Sequence, residues 1–472
     1  MSISMILNRK FKKIVYLILF PIYLTLDGCA TYHAAPLIEQ KTPLTINALV
    51  EQANASSLLT FGAVTLNDGL NLDELANLAL FNSPLLKVNQ QQYSVIQANA
   101  YNLGLLPDPQ LSANIDHPTS NAVNTVNAWS GGIGYDLNAL ITHQSFIEVG
   151  DQQIKQAKLA LLWQAWQIKL QAKLLSVELY YTKQKISLLQ NLIGTLEQRY
   201  QQSQVGISEG NVTLETNGTD LSVLLDAYSQ LNILQQQYNT SAHQLAQLLG
   251  IESLDGFTIT PLPPSAELSK DSLSTALTNI ARKRPDLLAL QAGYQAQEAS
   301  VRAAVLAQFP ALNLGISTAK DTGGLHTQGF NIGITLPLFN GNKGNILVTR
   351  ATRKQLAEEY QLRLIQTRSE VDELWQLNAL ISQQQTQLAK HLLTLEKLVV
   401  SAKKAYIKGD IAALPFINME STLFNKRLEQ LDLQQSKWRA QLSLALLLMR
   451  NTANSAQQAD EHKLIYLNER SP

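Results

Sequence analysis

Apolar and polar residues alternate one for one in two short stretches of the chain's second half. Leu312, Leu314 and Ile316 oppose Asn313, Gly315 and Ser317, and Phe330, Ile332, Ile334 and Leu336 oppose Asn331, Gly333 and Thr335. A period of two marks a strand with one greasy and one wet face. The polar, glycine-bearing residues 319–329 between them make the pair a hairpin. An earlier pair has the same pattern. Leu111, Ala113 and Ile115 alternate with Ser112, Asn114 and Asp116, and then Trp129, Gly131, Ile133, Tyr135 and Leu137 with Ser130, Gly132, Gly134, Asp136 and Asn138.

The two pairs belong to a duplication. Pro84, Tyr93, Pro109 and Leu111 recur as Pro285, Tyr294, Pro310 and Leu312 at a constant offset of 201. After the strands, Thr195, Gly210 and Ala246 recur as Thr394, Gly409 and Ala445 at an offset of 199. One unit of helix, hairpin, helix, helix is therefore written twice.

The helices show the other period. Asn71, with Glu74 three residues on, has the form of a capping box, and helical spacing runs from there through Leu75, Leu78, Leu85, Val88 and Ile96 until Pro107 and Pro109 stop it. Apolar residues then recur at threes and fours from Ile154 through Leu161, Ile168, Leu175, Leu179 and Leu189 to Leu196. A helix of about 60 residues would be on the order of 90 Å long, a rod that suits a coiled or helix-barrel assembly. Gly206, Gly210 and Gly218 mark the turn into a return helix that reaches Leu249, and the second half repeats the plan with a turn over 408–415. The divisions expected are a signal peptide of lipoprotein type, 1–28; a tether, 29–70; a first repeat, 71–250, with its hairpin at 110–138; a linker, 251–271; a second repeat, 272–450, with its hairpin at 311–337; and a polar tail, 451–472.

Charge removes one class of function. Lys+Arg and Asp+Glu both number 37 and the isoelectric point is near 7.1, so the chain lacks the positive excess with which nucleic-acid binders neutralise phosphates. Only 16% of residues are charged, with glutamine, asparagine, serine and threonine in their place. That is a surface chemistry for the walls of a wet, weakly charged space.

The first thirty residues read as an export signal. Arg9, Lys10, Lys12 and Lys13 precede an apolar run at 14–26, shorter than the roughly 20 residues of a membrane span. The only cysteine, Cys29, follows in Leu26-Asp27-Gly28-Cys29, a segment that resembles the bacterial lipoprotein signal and makes Cys29 the expected lipid attachment site. A lone cysteine also excludes a disulfide framework.

Four amphipathic strands cannot stand alone in hydrocarbon, because open edges leave backbone groups unpaired. Closed bacterial barrels begin at about eight strands. The strands must therefore form a barrel shared between chains, and three copies would supply twelve strands with the long helices gathered below. The residues expected to face lipid are Leu111, Ile115, Trp129, Ile133, Tyr135, Leu312, Leu314, Ile316, Ile332 and Ile334. Two hairpins packed face to face as a small soluble sandwich are the competing arrangement. No catalytic constellation is visible, and the seven histidines form no i, i+4 pair, so neither an enzyme, a metal site nor a cofactor is expected. His117 and His326 are expected to be solvated residues in or beside the hairpin loops.

The chain resembles the outer-membrane efflux proteins of the TolC family, lipoprotein subtype. The residues that carry the likeness are Leu336-Pro337-Leu338-Phe339-Asn340-Gly341, the paired Pro84 and Pro285, and Tyr406-Ile407-Lys408-Gly409 followed by Leu414, Ile417 and Glu420. The resemblance implies an α+β membrane protein and a homotrimer, with a twelve-stranded barrel in the outer membrane of a Gram-negative bacterium and an α-helical barrel through the periplasm. It also implies two partners, a periplasmic adaptor and an inner-membrane pump of RND or ABC type. Contact with the adaptor would fall on the turns bearing Gly206, Gly210, Gly218, Tyr406, Gly409, Asp410 and Leu414. Where the family has acidic residues six and nine positions after the tip glycine, and an arginine two after it, this chain has Pro415, Asn418 and Ile411. Asp410, Asp220 and Asp226 are the nearby alternatives.

The function expected is a passive exit duct for drugs or other small toxic compounds, opened by adaptor and pump. A duct for type I protein secretion is the rival with the same fold, and a periplasmic coiled-coil scaffold without a pore is the rival of another class.

Overall fold

The structure, a computed structural model, describes residues 32–37, 44–56, 64, 66, 69–119, 125–254, 258–262 and 270–449. Cys29, the export signal and the tail from residue 450 lie outside the described residues. Residues 1–43 form a unit of their own, in which 32–37 carry no helix or strand. The rest of the chain is the second unit.

That unit begins with α1 (Ile46–Ala55), capped by the Thr45 hydroxyl, with Ile46, Leu49, Val50 and Ala53 buried. The expected tether therefore contains a helix, although Thr45 and the spacing of those four residues signal one. Leu44 pairs in parallel with Ile251, and Leu70 with Ile259.

The helix expected as one piece from Asn71 is two. α2 (Leu72–Asn82) starts at Asn71 with a complete capping box, and α3 (Pro84–Leu103) follows at once. Pro84 has no N–H to donate into a continuous ladder and forces Ser83 to extended geometry; Ser83 then caps α3. The second half breaks at the equivalent place, where α6 (Lys270–Lys283) and α7 (Pro285–Leu306) flank Arg284. The strands are β1 (Gln110–Asp116), β2 (Ala128–Asp136), β3 (Ala311–Lys320) and β4 (His326–Thr335). The second hairpin is longer than its alternation shows, because backbone pairing continues through Thr318, Lys320, His326 and Gln328, where the greasy positions have become polar.

Each hairpin leads into a long helix and its return: α4 (Asn138–Ser208) with α5 (Leu214–Leu249), and α8 (Lys343–Ile407) with α9 (Ala413–Leu447). At roughly 1.5 Å per residue the 71 residues of α4 extend for about 105 Å. α3 packs on α4, α4 on α7, and α7 on α8, while α5 packs on α4, and α9 on both α8 and α4. One core joins α1, α2, α4 and α5 through Leu49, Leu75, Ile168 and Leu245; another joins α6, α8 and α9 through Ile280, Val371 and Leu444. The α3–α4 crossing is close: a Cβ on Gly150 would lie 3.1 to 3.3 Å from Ala100, backbone included. No described helix is long and apolar enough to cross a membrane.

Candidate functional site: an amphipathic sheet and two helical turns

The hairpins lie edge to edge in one sheet of order β1-β2-β3-β4, all antiparallel. Register makes its two faces differ. Leu111, Ile133, Ile316 and Phe330 stand in one row, and Tyr135, Leu314 and Ile332 in the next. Leu312 opposes Ile334, and Ile115 opposes Trp129. All ten residues expected to face lipid thus share one face. The other face carries Ser112, Asn114, Ser130, Asn313, Ser317, Asn331 and five glycines, Gly132, Gly134, Gly315, Gly329 and Gly333. A Cβ on Gly132 would come within 3.0 Å of the Ile316 carbonyl.

Among the described residues, nothing covers the apolar face. Leu111 is 80% exposed, Ile115 79%, Ile316 65% and Ile332 59%. The face-to-face sandwich is absent, since β2 and β3 are hydrogen-bonded neighbours. Trp129 meets His326 edge-on at the loop end of this face, ring centroids 6.2 Å apart. His326 is therefore a strand residue, while His117 Nδ1 lies 2.6 Å from Asn127 Oδ1 beside the first loop.

The sheet and the helices share their open edges. Helices α3, α4, α7 and α8 stand in the same order as the strands they join, so β1 and β4 end the sheet where α3 and α8 end the row of helices. Both terminal helices expose apolar residues, Val88 and Val95 on α3, and Leu347 and Val348 on α8.

At the far ends of the long helices are two turns of the same construction. Gly210 (φ +74°) and Gly409 (φ +77°) each follow a helix C-cap in the left-handed region. Asn211 N donates to Gly206 O and Gly210 N to Ile207 O; likewise Asp410 N donates to Ala405 O and Gly409 N to Tyr406 O. This paired bonding is the Schellman termination, which favours glycine because a Cβ is strained there. The return helices start differently. Thr213 caps α5 with its hydroxyl, and Ala412 offers α9 no side-chain cap.

The sequence places some turn residues wrongly. Gly218 lies within α5, exposed, and Gly206 is a buried residue of α4 whose missing Cβ makes room for Val212. Neither is at a turn apex, because a glycine cluster marks a helix end only where a left-handed residue is needed. Tyr406 stacks on Phe416 at 5.2 Å, Leu414 is half exposed and Asp410 is exposed. Of the alternative acids, Asp226 is exposed, whereas Asp220 is buried with Arg199 Nε 2.9 Å away. Arg199 Nη1 also lies 3.5 Å from Glu420 Oε2, which ties the first helical hairpin to α9. Arg199 escapes a sequence reading because nothing in its neighbours marks it.

Midway along, the fold is braced by buried charge. Glu178 of α4 accepts from Gln237 of α5 and from Gln435 and Arg439 of α9. Lys185 pairs with Asp432 and donates to Gln435 at 2.7 Å. Arg284, fully buried at the start of α7, binds Asp286 through two hydrogen bonds of 2.9 and 2.6 Å and lies 4.7 Å from the Trp163 ring. Asp286 also accepts from Arg363 of α8 at 3.0 Å. Burial would raise the Asp286 carboxyl, but the bonds and charges of Arg284 and then Arg363 outweigh it and hold it below its ordinary 3.8. No group of three or more potential metal ligands occurs among the described residues.

Solved structures share this architecture. The Campylobacter jejuni CmeC outer membrane channel superposes with a TM-score of 0.68 over 89% of this chain and 94% of that one, at 15% identity. The fold is that of outer-membrane efflux channels. Residues 276–449 match the family described as "Outer membrane efflux protein". It is similar to "Cation efflux system protein CusC" of Escherichia coli (strain K12), with 26% identity over 199 residues, 39% of this chain and 44% of the relative. "Probable outer membrane lipoprotein SilC" of Salmonella typhimurium is 24% identical over 254 residues, 50% of this chain and 54% of the relative. The chain thus spans about half the length of the curated relatives it matches.

Proposed function

We propose that three copies close into a twelve-stranded barrel continued by an α-helical tunnel, forming a passive exit duct of a tripartite efflux system. One observation carries the reading: a four-stranded sheet, greasy on one face and lined with glycine, serine and asparagine on the other, has both edges open above an equally open row of helices. Because an even number of strands alternates in direction, β4 of one copy meets β1 of the next antiparallel when all copies point the same way. Closure then pairs every edge group, which hydrocarbon requires. The apolar face meets outer-membrane lipid, the small polar face lines the lumen, and Cys29 carries the lipid anchor.

Transport energy comes from an inner-membrane pump of RND or ABC type. A periplasmic adaptor engages the turns at Gly210–Leu214 and Gly409–Ala413. The cargo is a small toxic solute, and the relative named for cation efflux brings toxic cations into that class. Purified protein in planar bilayers should conduct ions, and a deletion strain should become susceptible to toxic cations, dyes or antibiotics while still secreting its proteins. Loss of a secreted protein with unchanged susceptibility would select the type I secretion duct instead. Protein that is released by carbonate and does not conduct would select the pore-free scaffold.

A further inference from the structure

The link from β4 to α8 exposes more apolar surface than a free turn should. Leu336 is 62% exposed, Leu338 76% and Phe339 98%, and a phenylalanine carries roughly 150–250 Å² that water disfavours. The link is also firmly built. Leu338 N donates to Leu336 O and Lys343 N to Asn340 O; Gly341 and Asn342 are left-handed; and the Asn342 amide donates to Ala304 O of α7 at 2.8 Å. This turn therefore presents its apolar side chains outward in a fixed arrangement.

The opposite open edge has a matching feature. Between α3 and β1, Leu105 is 51% and Leu106 41% exposed, and Tyr101 at the end of α3 is 72% exposed. Both links lie at the helical end of the sheet, one beside the last strand and one beside the first.

We infer that the Leu336–Phe339 turn of one copy packs against Leu105, Leu106 and Tyr101 of the next copy, forming an apolar seam at the junction of barrel and helices. The inference rests on the trimeric reading. Its reason is geometric: antiparallel pairing of β4 with the neighbour's β1 brings the end of β4 beside the start of that β1, and each carries a link whose apolar side chains are left 41 to 98% exposed by the described residues. The seam orients neighbouring copies where the chain passes from sheet to helix.

The test uses the full chain. Leu105→Cys with Phe339→Cys is joined by a short bis-maleimide in membranes, and Leu106→Cys with Leu338→Cys serves as a second pair should the first assemble poorly. Single-cysteine variants are the controls, and the mass of the detergent-purified protein is measured alongside. Three-copy mass with at least one pair giving linked multimers that the controls lack is the expected result. Three-copy mass without linkage in either pair overturns the seam and leaves the trimer standing, whereas one-copy mass overturns both. The other possible occupant is lipid. If Phe339→Trp fluorescence in brominated-lipid vesicles is quenched as strongly as that of Ile332→Trp, the turn faces the membrane and the seam is overturned.

Discussion

Arg284 and Asp286 show how a single position can brace the molecule. A buried guanidinium is costly unless paired, and here Asp286 meets it with two oxygens while Arg363 brings α8 into the same cluster. Removing one partner of a buried pair costs about 3–5 kcal/mol, so Asp286→Ala should lower thermal stability by that order. The carboxyl is held below 3.8 in the folded chain, so its contribution is complete above that value and fades as pH falls through the lower folded one. Melts taken down the acid range should show a decline in the wild-type protein that is reduced in Asp286→Ala. Tyr181 gives the opposite limb: burial first, and then Tyr180, push its hydroxyl up to about 12. Stability linked to it should persist below pH 10 and be lost towards 12, and Tyr181→Phe should flatten this alkaline decline. In the sequence Pro285 and its copy Pro84 are visible, but Arg284 is not. Its carboxylate partner Asp286 is two residues on, but Trp163 of α4 beside it and Arg363 of α8, which shares Asp286, are brought there only by folding.

At the scale of elements, packing distance and polarity decide. The α3–α4 crossing has no space for a side chain at Gly150, and Gly150→Val should separate the helices and cost about 1–3 kcal/mol as overpacking does, measured as a lower melting midpoint. Arg199 ties α4 to α5 through Asp220 and to α9 through Glu420. Arg199→Ala leaves Asp220 buried and unpaired, so the turn end should loosen. Single-channel recording should then show more frequent opening than in the wild-type protein. Strands, long helices and their turns follow from the periods of two and three-to-four, because those periods reflect which face is buried or greasy. The breaks at Ser83 and Arg284 escape a reading based on apolar spacing, since the spacing continues across them while the prolines do not allow the backbone to follow. Gly218 misleads for the converse reason, because glycine is tolerated inside a helix at a cost of only about 1 kcal/mol.

For the whole molecule, the exposed apolar face is the largest commitment. Ile316 stands mid-row on that face and is 65% exposed. Ile316→Arg should cost roughly 2–4 kcal/mol if it lies near the bilayer midplane, seen as reduced insertion into outer membranes, while Ser317→Arg on the opposite face should insert normally and alter conductance. The same sheet would be an aggregation hazard in water, so purification without detergent or lipid should give aggregates.

The amino-acid order by itself determined the repeated plan, the two faces of the strands and the presence of the long rods, since each is a local consequence of periodicity, proline and glycine; the first rod is longer, at 71 residues, than the roughly 60 that its apolar spacing marks. Only the tertiary structure decided that the hairpins join edge to edge, that the helices keep the order of the strands, and that Arg199 and Arg284 are internal ties. Those facts depend on contacts between residues far apart in the chain, whose partners are chosen by packing and charge after the elements have formed.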